Sequence, residues 1–224
     1  MVATTRTSKI AGSCLVSIIL LGVAQALLVS PLFRDSDPDA LVASISNQAL
    51  LFRLGVLADV VLYTLVLVLS VTLYLLVREV DRSLALGALV LRIAEGIVGL
   101  GVTVVGGVIP LLIATNTVEA TSGLAAASFA LRESALDVIL VLIGPGGVVF
   151  SYLFLKSKLV PRGLAIWGVA TYTTMILLGS IRFLLPDLPA SITSALYAQG
   201  GLFEVVFGLW LLIRPVAPAI AEDR

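Results

Sequence analysis

Two ionisable residues interrupt a long apolar stretch in the middle of the sequence. Arg92 and Glu95 stand within LVLRIAEGIVGLG (89–101), and no other charged residue occurs between Ser83 and Thr115. Residues three apart on a helix share one face, so these two side chains can pair with each other. A charge at the centre of a bilayer costs about 2.5–3.5 kcal/mol on insertion scales. We therefore expect the pair to face a protein interior.

Four more ionisable residues lie within apolar stretches and should face the protein interior for the same reason. Together with the pair they form our candidate polar or proton site: Asp59, Arg92, Glu95, Asp137, Arg182 and Glu204. Acids outnumber bases in this set, and a carboxylate that lacks a cation in a low dielectric stays protonated. Two interpretations remain open. The charges form ion pairs that only fix helix packing, with Glu204 reaching Arg92, or they form a site for a proton, an ion or a small polar solute.

A partial internal repeat adds a geometric expectation. DVVL at Asp59 and DVIL at Asp137 each open an apolar run, and a Tyr-Leu pair follows each of them 15 residues later, at Tyr74 and Tyr152. A hairpin duplicated in the same orientation would place the two aspartates at matching depth. Arg182 is the arginine expected at that level. We therefore predict an Asp59–Arg182–Asp137 cluster.

Transmembrane helices are the elements that must carry these residues. Charged residues make up only 12% of the chain and apolar residues 59%, and mean hydropathy is +1.14. Several apolar runs exceed the length of about 18 residues that marks a membrane span. The prediction is an all-α bundle, a single transmembrane domain over 1–224. Its six spans are expected at about 10–31, 50–77, 84–114, 133–155, 163–185 and 195–213.

Two of the segments between the spans are long enough for a short helix on the membrane surface, and the charges outside the spans predict an orientation. The connections before residue 50 and before residue 133 can each hold a short helix, and Asp37-Pro38-Asp39 is a typical helix start. Lysines and arginines favour the side of the two termini by nine to two, which predicts that both termini are cytoplasmic. The nine are Arg6, Lys9, Arg78, Arg82, Lys156, Lys158, Arg162, Arg214 and Arg224, and the two are Arg34 and Arg132.

The fourth span carries a candidate helix break at Gly144, Pro145, Gly146 and Gly147. Proline removes a backbone hydrogen bond, and the glycines loosen the helix further. Broken helices often line the binding sites of transporters. A simple kink is the alternative.

Several function classes are disfavoured by what the sequence lacks. The formal net charge is zero, so we expect no nucleic-acid partner. Histidine is absent and Cys14 is the only cysteine, so we expect no metal site and no cofactor. The motifs G-x-S-x-G and H-E-x-x-H and the Walker loop are also missing, so we expect no enzymatic activity.

A small, proton-linked transporter or permease-like protein is the function that the sequence favours. Its partners would be the lipid bilayer and a small polar solute or a proton. The alternative is a structural or accessory membrane subunit whose ion pairs only fix helix packing. An intramembrane enzyme that acts on a lipid is a third, less favoured interpretation.

Four segments carry a resemblance to a known family. They are LFRLGVLADVVL (51–62), LVLRIAEGIVGLG (89–101), YLFLKSKLVPRGLAIWG (152–168) and GGLFEVVFGLWLLIRP (200–215). With these motifs the chain resembles a bacterial family known only as domain of unknown function 4386, from about Lys9 to Pro215. The resemblance implies a six-helix, multi-pass protein of the bacterial cytoplasmic (inner) membrane. It implies no particular activity.

Overall fold

Helices account for almost all of the described chain. The computed structural model describes residues 2–33, 37–116, 121–185 and 188–214. Within these ranges the α-helices are α1 (Val2–Ala24), α2 (Pro38–Asn47), α3 (Ala49–Val77), α4 (Arg82–Thr103), α5 (Ile109–Ala114), α6 (Ser122–Ser157), α7 (Arg162–Leu184) and α8 (Ala190–Ile213). Two π-helical turns extend them: Gln25–Val29 follows α1, and Val104–Val108 joins α4 to α5.

Six of the helical segments in the described chain are long and apolar enough to cross a membrane. They are Thr5–Leu32, Ala49–Val77, Arg82–Ala114, Ser122–Ser157, Arg162–Leu184 and Ser191–Ile213. The prediction of six apolar spans in an all-helical chain is therefore confirmed, and the protein is of the multi-pass membrane type.

The two connections expected to hold surface helices turn out differently. The first connection does contain a short helix, α2. Asp37 caps its start by accepting a hydrogen bond from the Ala40 amide at 3.3 Å, and Pro38 is the first helical residue. The second expectation is wrong, because the residues before position 133 are the opening turns of α6, which starts at Ser122. The segment is polar enough to resemble a loop, but its alanines, leucines, Arg132 and Glu133 are strong helix formers.

The six spans form a closed ring in chain order. Each packs against the next in the order α1, α3, α4, α6, α7 and α8, and α8 returns to pack against α1. Successive spans run in opposite directions. We call the end where α1 begins and α8 ends the terminal face; it also carries the connections 78–81 and 158–161. The opposite end, which carries α2 and the end of α5, is the distal face.

Apolar side chains fill the ring toward the terminal face. The cluster draws on all six spans and includes Leu15, Leu69, Ala88, Phe154, Leu164 and Leu211. Phe154 and Phe207 meet edge to face, with ring centroids 5.3 Å apart. The interior of this half of the bundle is therefore closely packed with apolar side chains.

Small residues let α1 and α8 close the ring. A Cβ atom added at Gly12 would lie 2.6 Å from the Gly208 carbonyl oxygen, so the two backbones cross in near contact. Ser8 also donates a hydrogen bond to the Leu211 carbonyl at 2.8 Å. The closure therefore depends on glycines that the sequence places at matching heights on the two helices.

Candidate functional site

Arg92 and Glu95 form an ion pair inside the ring. Arg92 Nη1 lies 2.7 Å from Glu95 Oε2, and each side chain is only 4% exposed. Both residues come from α4, three positions apart, so the local pairing that their spacing predicts is confirmed.

A second acid and a tyrosine complete what we call the central cluster: Arg92, Glu95, Tyr172 and Glu204. Glu204, on α8, was expected to reach Arg92. It instead accepts a hydrogen bond from the Tyr172 hydroxyl of α7 at 3.2 Å, and its charge interacts with Arg92 without a direct ion pair between described atoms. Glu204 and Tyr172 are both buried. The cluster thus places two carboxyl groups and one guanidinium in the buried interior of the bundle.

The glycines of span four make room for this cluster without breaking the helix. α6 runs α-helically through Gly144, Pro145, Gly146 and Gly147, so the break considered from the sequence is absent. A Cβ atom at Gly146 would lie 2.8 Å from Arg92 Cγ, and one at Gly147 would collide with the Tyr172 ring. These glycines therefore serve close packing against the central cluster.

Asp59 lies in a separate polar group nearer the distal face, which we call the distal cluster: Gln25, Asp59 and Arg132. Arg132 Nη2 lies 2.7 Å from Asp59 Oδ2. The Gln25 amide donates to Asp59 Oδ1 at 2.5 Å and to the Gly55 carbonyl at 2.8 Å. The cluster ties the end of the first span, α3 and α6 together.

Both π-helical turns border the distal cluster. Gln25 is the first residue of one turn. In the other turn, the place of a Cβ atom at Gly106 is occupied by the Arg132 side chain, and a Cβ at Gly107 would lie 3.9 Å from Arg132 Nη1. Such turns occur frequently at functional sites, because they re-aim side chains within a helix.

Asp137 pairs with Arg182 in a third location, between α6 and α7. Arg182 Nε lies 2.7 Å from Asp137 Oδ1, and the two side chains are 30% and 10% exposed. The predicted Asp59–Arg182–Asp137 cluster is therefore wrong. Arg132, which we had assigned to a loop, lies in α6 and supplies the cation for Asp59, so each aspartate has its own arginine.

Tyr63 lies between the distal and central clusters. It is four residues after Asp59 on α3, and its ring packs on Gly99, which is four residues after Glu95 on α4. Its hydroxyl interacts electrostatically with Asp59, Arg132 and Glu95. Polar groups thus continue from the distal cluster to the middle of the bundle.

The grooves on the described surface bypass most of the candidate site. Three grooves have volumes of about 620, 330 and 440 Å³. Among the six candidate residues, Asp137 lines the 330 Å³ groove, and none of the other five lines any of the three. Asp137 is thus the one candidate residue that these three grooves reach.

The comparison with protein families identifies the chain's relatives. A family model described as "Domain of unknown function (DUF4386)" matches residues 10–214. The chain belongs to the DUF4386 family. No curated protein and no solved structure matches it. The resemblance found in the sequence is thus confirmed over nearly the whole chain.

Sequence reasoning missed four polar residues of this DUF4386 member: Gln25, Tyr63, Arg132 and Tyr172. Tyr172 was assigned to packing or to the membrane interface. It does pack on Phe203, with ring centroids 5.7 Å apart, but its hydroxyl also binds Glu204. A signal for Gln25 was available, since an amide inside an apolar span needs a polar partner. For Arg132 the signal was the helix-forming composition around it.

Proposed function

We propose that this protein is a small proton-linked carrier whose proton site is the central cluster. The observation that carries the proposal is the ratio of charges: two buried carboxyl groups, Glu95 and Glu204, share one guanidinium, Arg92. A second uncompensated negative charge would be very costly in this interior, so the neutral arrangement has one ionised and one protonated carboxyl group. A proton held in mid-membrane is what a proton-coupled carrier requires.

The arrangement of polar groups supports proton access from the distal face. The distal cluster and Tyr63 extend from that side toward Glu95, whereas apolar side chains fill the terminal half. The two π-helical turns that border the distal cluster are the segments whose rearrangement would open the distal side. The transported species would be a proton together with a small polar solute.

We propose that the distal face is periplasmic and that both termini are cytoplasmic, in a bacterial inner membrane. Eight described cations lie at or near the terminal face: Arg6, Lys9, Arg78, Arg82, Lys156, Lys158, Arg162 and Arg214. On the distal side Arg53 is exposed, whereas Arg132, counted on that side from the sequence, is engaged in an ion pair within the bundle. Arg34 and Arg224 lie outside the described residues. The bias supports an N-in, C-in orientation.

A structural or accessory subunit is the second candidate. Two of the ion pairs each join different helices, Asp59 of α3 to Arg132 of α6 and Asp137 of α6 to Arg182 of α7. Such pairs fix the positions of the helices that they join. Catalysis on a lipid is less favoured, because Asp137, which lines a lateral groove, is already paired with Arg182.

Infrared difference spectroscopy on the reconstituted protein separates the two candidates. A carrier should show the C=O band of a protonated carboxyl group that changes with pH. The band should be lost or shifted in Glu204→Gln or Glu95→Gln, and Asp137→Asn should leave it in place. A spectrum in which that band is missing, or never responds to pH, would support the structural role.

A fusion experiment tests the orientation. A reporter that is active only in the periplasm should be silent after Arg224. The same reporter placed after Asn116, beyond α5, should be active. The reverse pattern would contradict the proposed orientation.

A further inference from the structure

We propose that the groove along the outer side of α1 binds the headgroup of an anionic phospholipid in the leaflet at the terminal face. This groove is the largest of the three, about 620 Å³, and Arg6, Lys9, Ser13 and Ser17 line it together with Cys14 and Leu65. The proposal concerns a different part of the molecule from the central cluster and does not depend on the proposed function.

The first span leaves this side uncovered. The first span as a whole is the least covered of the six described spans, since 11% of its most apolar stretch is buried, against 33–50% in the others. The side of α1 that carries Ser8, Gly12 and Leu15 packs into the ring, whereas Arg6, Lys9 and Ser13 are exposed on the other side. The groove therefore opens toward lipid.

Two cations stand at the mouth of the groove without an ion-pair partner among the described residues. The described acids near the terminal face are engaged elsewhere: Glu79 pairs with Arg78 at 3.1 Å, and Asp81 caps α4 by accepting from the Leu84 amide at 3.0 Å. Arg6 and Lys9 are thus available to an external anion. A phosphate diester is the anion that the membrane surface supplies at this level.

The cations of the groove lie nearest the terminal face, at the level of the lipid headgroups. The described span Thr5–Leu32 is 28 residues long. It exceeds the hydrocarbon thickness of about 30 Å, so its first turns lie among the headgroups. The Ser13 hydroxyl is about 6 Å deeper than Lys9 and Ser17 about 6 Å deeper again, at the level of the glycerol esters and below. Ile10, which is exposed, and Leu65 line the same groove and offer apolar surface to the start of an acyl chain.

Charge complementarity selects an anionic lipid over a zwitterionic one. Each cation near an anionic membrane surface contributes about 1 kcal/mol. Removing both Arg6 and Lys9 should therefore weaken binding by about thirtyfold. A zwitterionic lipid has its own ammonium group beside the phosphate and should gain much less from these two residues.

Native mass spectrometry of the full chain in detergent tests the site, with phosphatidylglycerol and phosphatidylcholine of identical acyl chains as the probes. The wild type should retain one phosphatidylglycerol in preference to phosphatidylcholine. Arg6→Ala combined with Lys9→Ala should abolish that preference. The matched control is Lys156→Ala, which removes an exposed cation at the same face that lines none of the three grooves.

A second variant keeps the test decisive if the double variant does not fold. Ser13→Phe leaves both cations in place and fills the groove, so it should also displace the bound phosphatidylglycerol. Retention of the lipid in both variants would overturn the proposal. An equal loss with Lys156→Ala would do the same, because it would show that any surface cation suffices. A second copy of the chain seated on α1, seen as a dimer that excludes lipid, would also overturn it.

Discussion

The terminal and distal halves of the bundle are held together in different ways. The terminal half is held by apolar packing, in which leucines, phenylalanines and close contacts at glycines fill the ring from all six spans. The distal half has a smaller apolar cluster, which includes Val29, Ile45 and Phe52, and its helices are also connected by two ion pairs and a glutamine bridge. Both π-helical turns lie in this half. Shape-based packing has essentially one solution, whereas a paired charge can exchange its partner. We infer that any movement of this protein takes place mainly in the distal half.

The strongest test of the comparison is at the boundary between the halves, at Arg92. Arg92→Leu leaves Glu95 and Glu204 buried without a cation, and the free energy of unfolding should fall by about 3–5 kcal/mol. The loss should be smaller at pH 5 than at pH 8, since protonation removes the stranded charge. Equilibrium unfolding in mixed micelles measures both values. Adding Glu95→Gln should restore part of the stability, and a loss that ignores pH would speak against stranded acids.

The distal cluster provides the next test. Arg132→Leu removes the cation from Asp59 and should reduce the unfolding free energy by about 2–3 kcal/mol, less than Arg92→Leu because Arg132 is partly exposed. Arg53→Leu is the control, because Arg53 is an exposed cation on α3, about one and a half turns before Asp59 and near the same distal face. Its effect should stay within about 0.5 kcal/mol. Equal losses from the two variants would mean that the ion pair contributes nothing.

A glycine pair on α4 tests packing between the clusters. An added methyl group at Gly99 collides with the Tyr63 ring, whereas one at Gly101 meets nothing within 4 Å. Gly99→Ala should lower the unfolding free energy by about 1–2 kcal/mol, since overpacking outweighs the gain in helix propensity. Gly101→Ala should be neutral or slightly stabilising. The same thermal or denaturant assay compares them, and a neutral Gly99→Ala would show that Tyr63 moves aside freely.

The smallest expected effect is the coupling between the two distal aspartates. Because Asp59 and Asp137 have separate arginines, Asp59→Asn and Asp137→Asn should have additive effects on stability. A double-mutant cycle should give a coupling energy below about 0.5 kcal/mol. A larger coupling energy would indicate that the two aspartates interact, as the Asp59–Arg182–Asp137 cluster predicted from the repeat requires.

The sequence predicted the spans well and the partners of the charges poorly, for a physical reason. Span positions follow from composition within one stretch of chain, so Ala49–Val77 agrees with its prediction to within one residue. The Arg92–Glu95 pair could also be predicted from one stretch of chain, because two residues three positions apart on a helix lie on the same face. The partner of Asp59 was not local. It depends on how α6 is positioned beside α3, and on whether Arg132 belongs to a loop or to a helix, which apolar patterning does not decide.

Tyr172 and the glycines of α6 illustrate the same limit at a finer scale. Gly146 and Gly147 were noted as a possible break in one helix, but their role lies in what they face on two other helices. A break is a property of the local chain, whereas room for an arginine stem and a tyrosine ring is a property of the assembled bundle. Sequence alone located these residues correctly, but it did not show which side chains they face on the neighbouring helices.

The contact between α1 and α8 has a consequence for how the protein is made. Translation delivers α1 to the membrane long before α8, so the partner of Gly12 is missing while the four spans between them are inserted. During that interval the packed side of α1, with Ser8 and Gly12, faces lipid. The ring can close only when Gly208 arrives. Assembly therefore has a late step set by the order of synthesis, in which two helices distant in the chain must find each other within the bilayer.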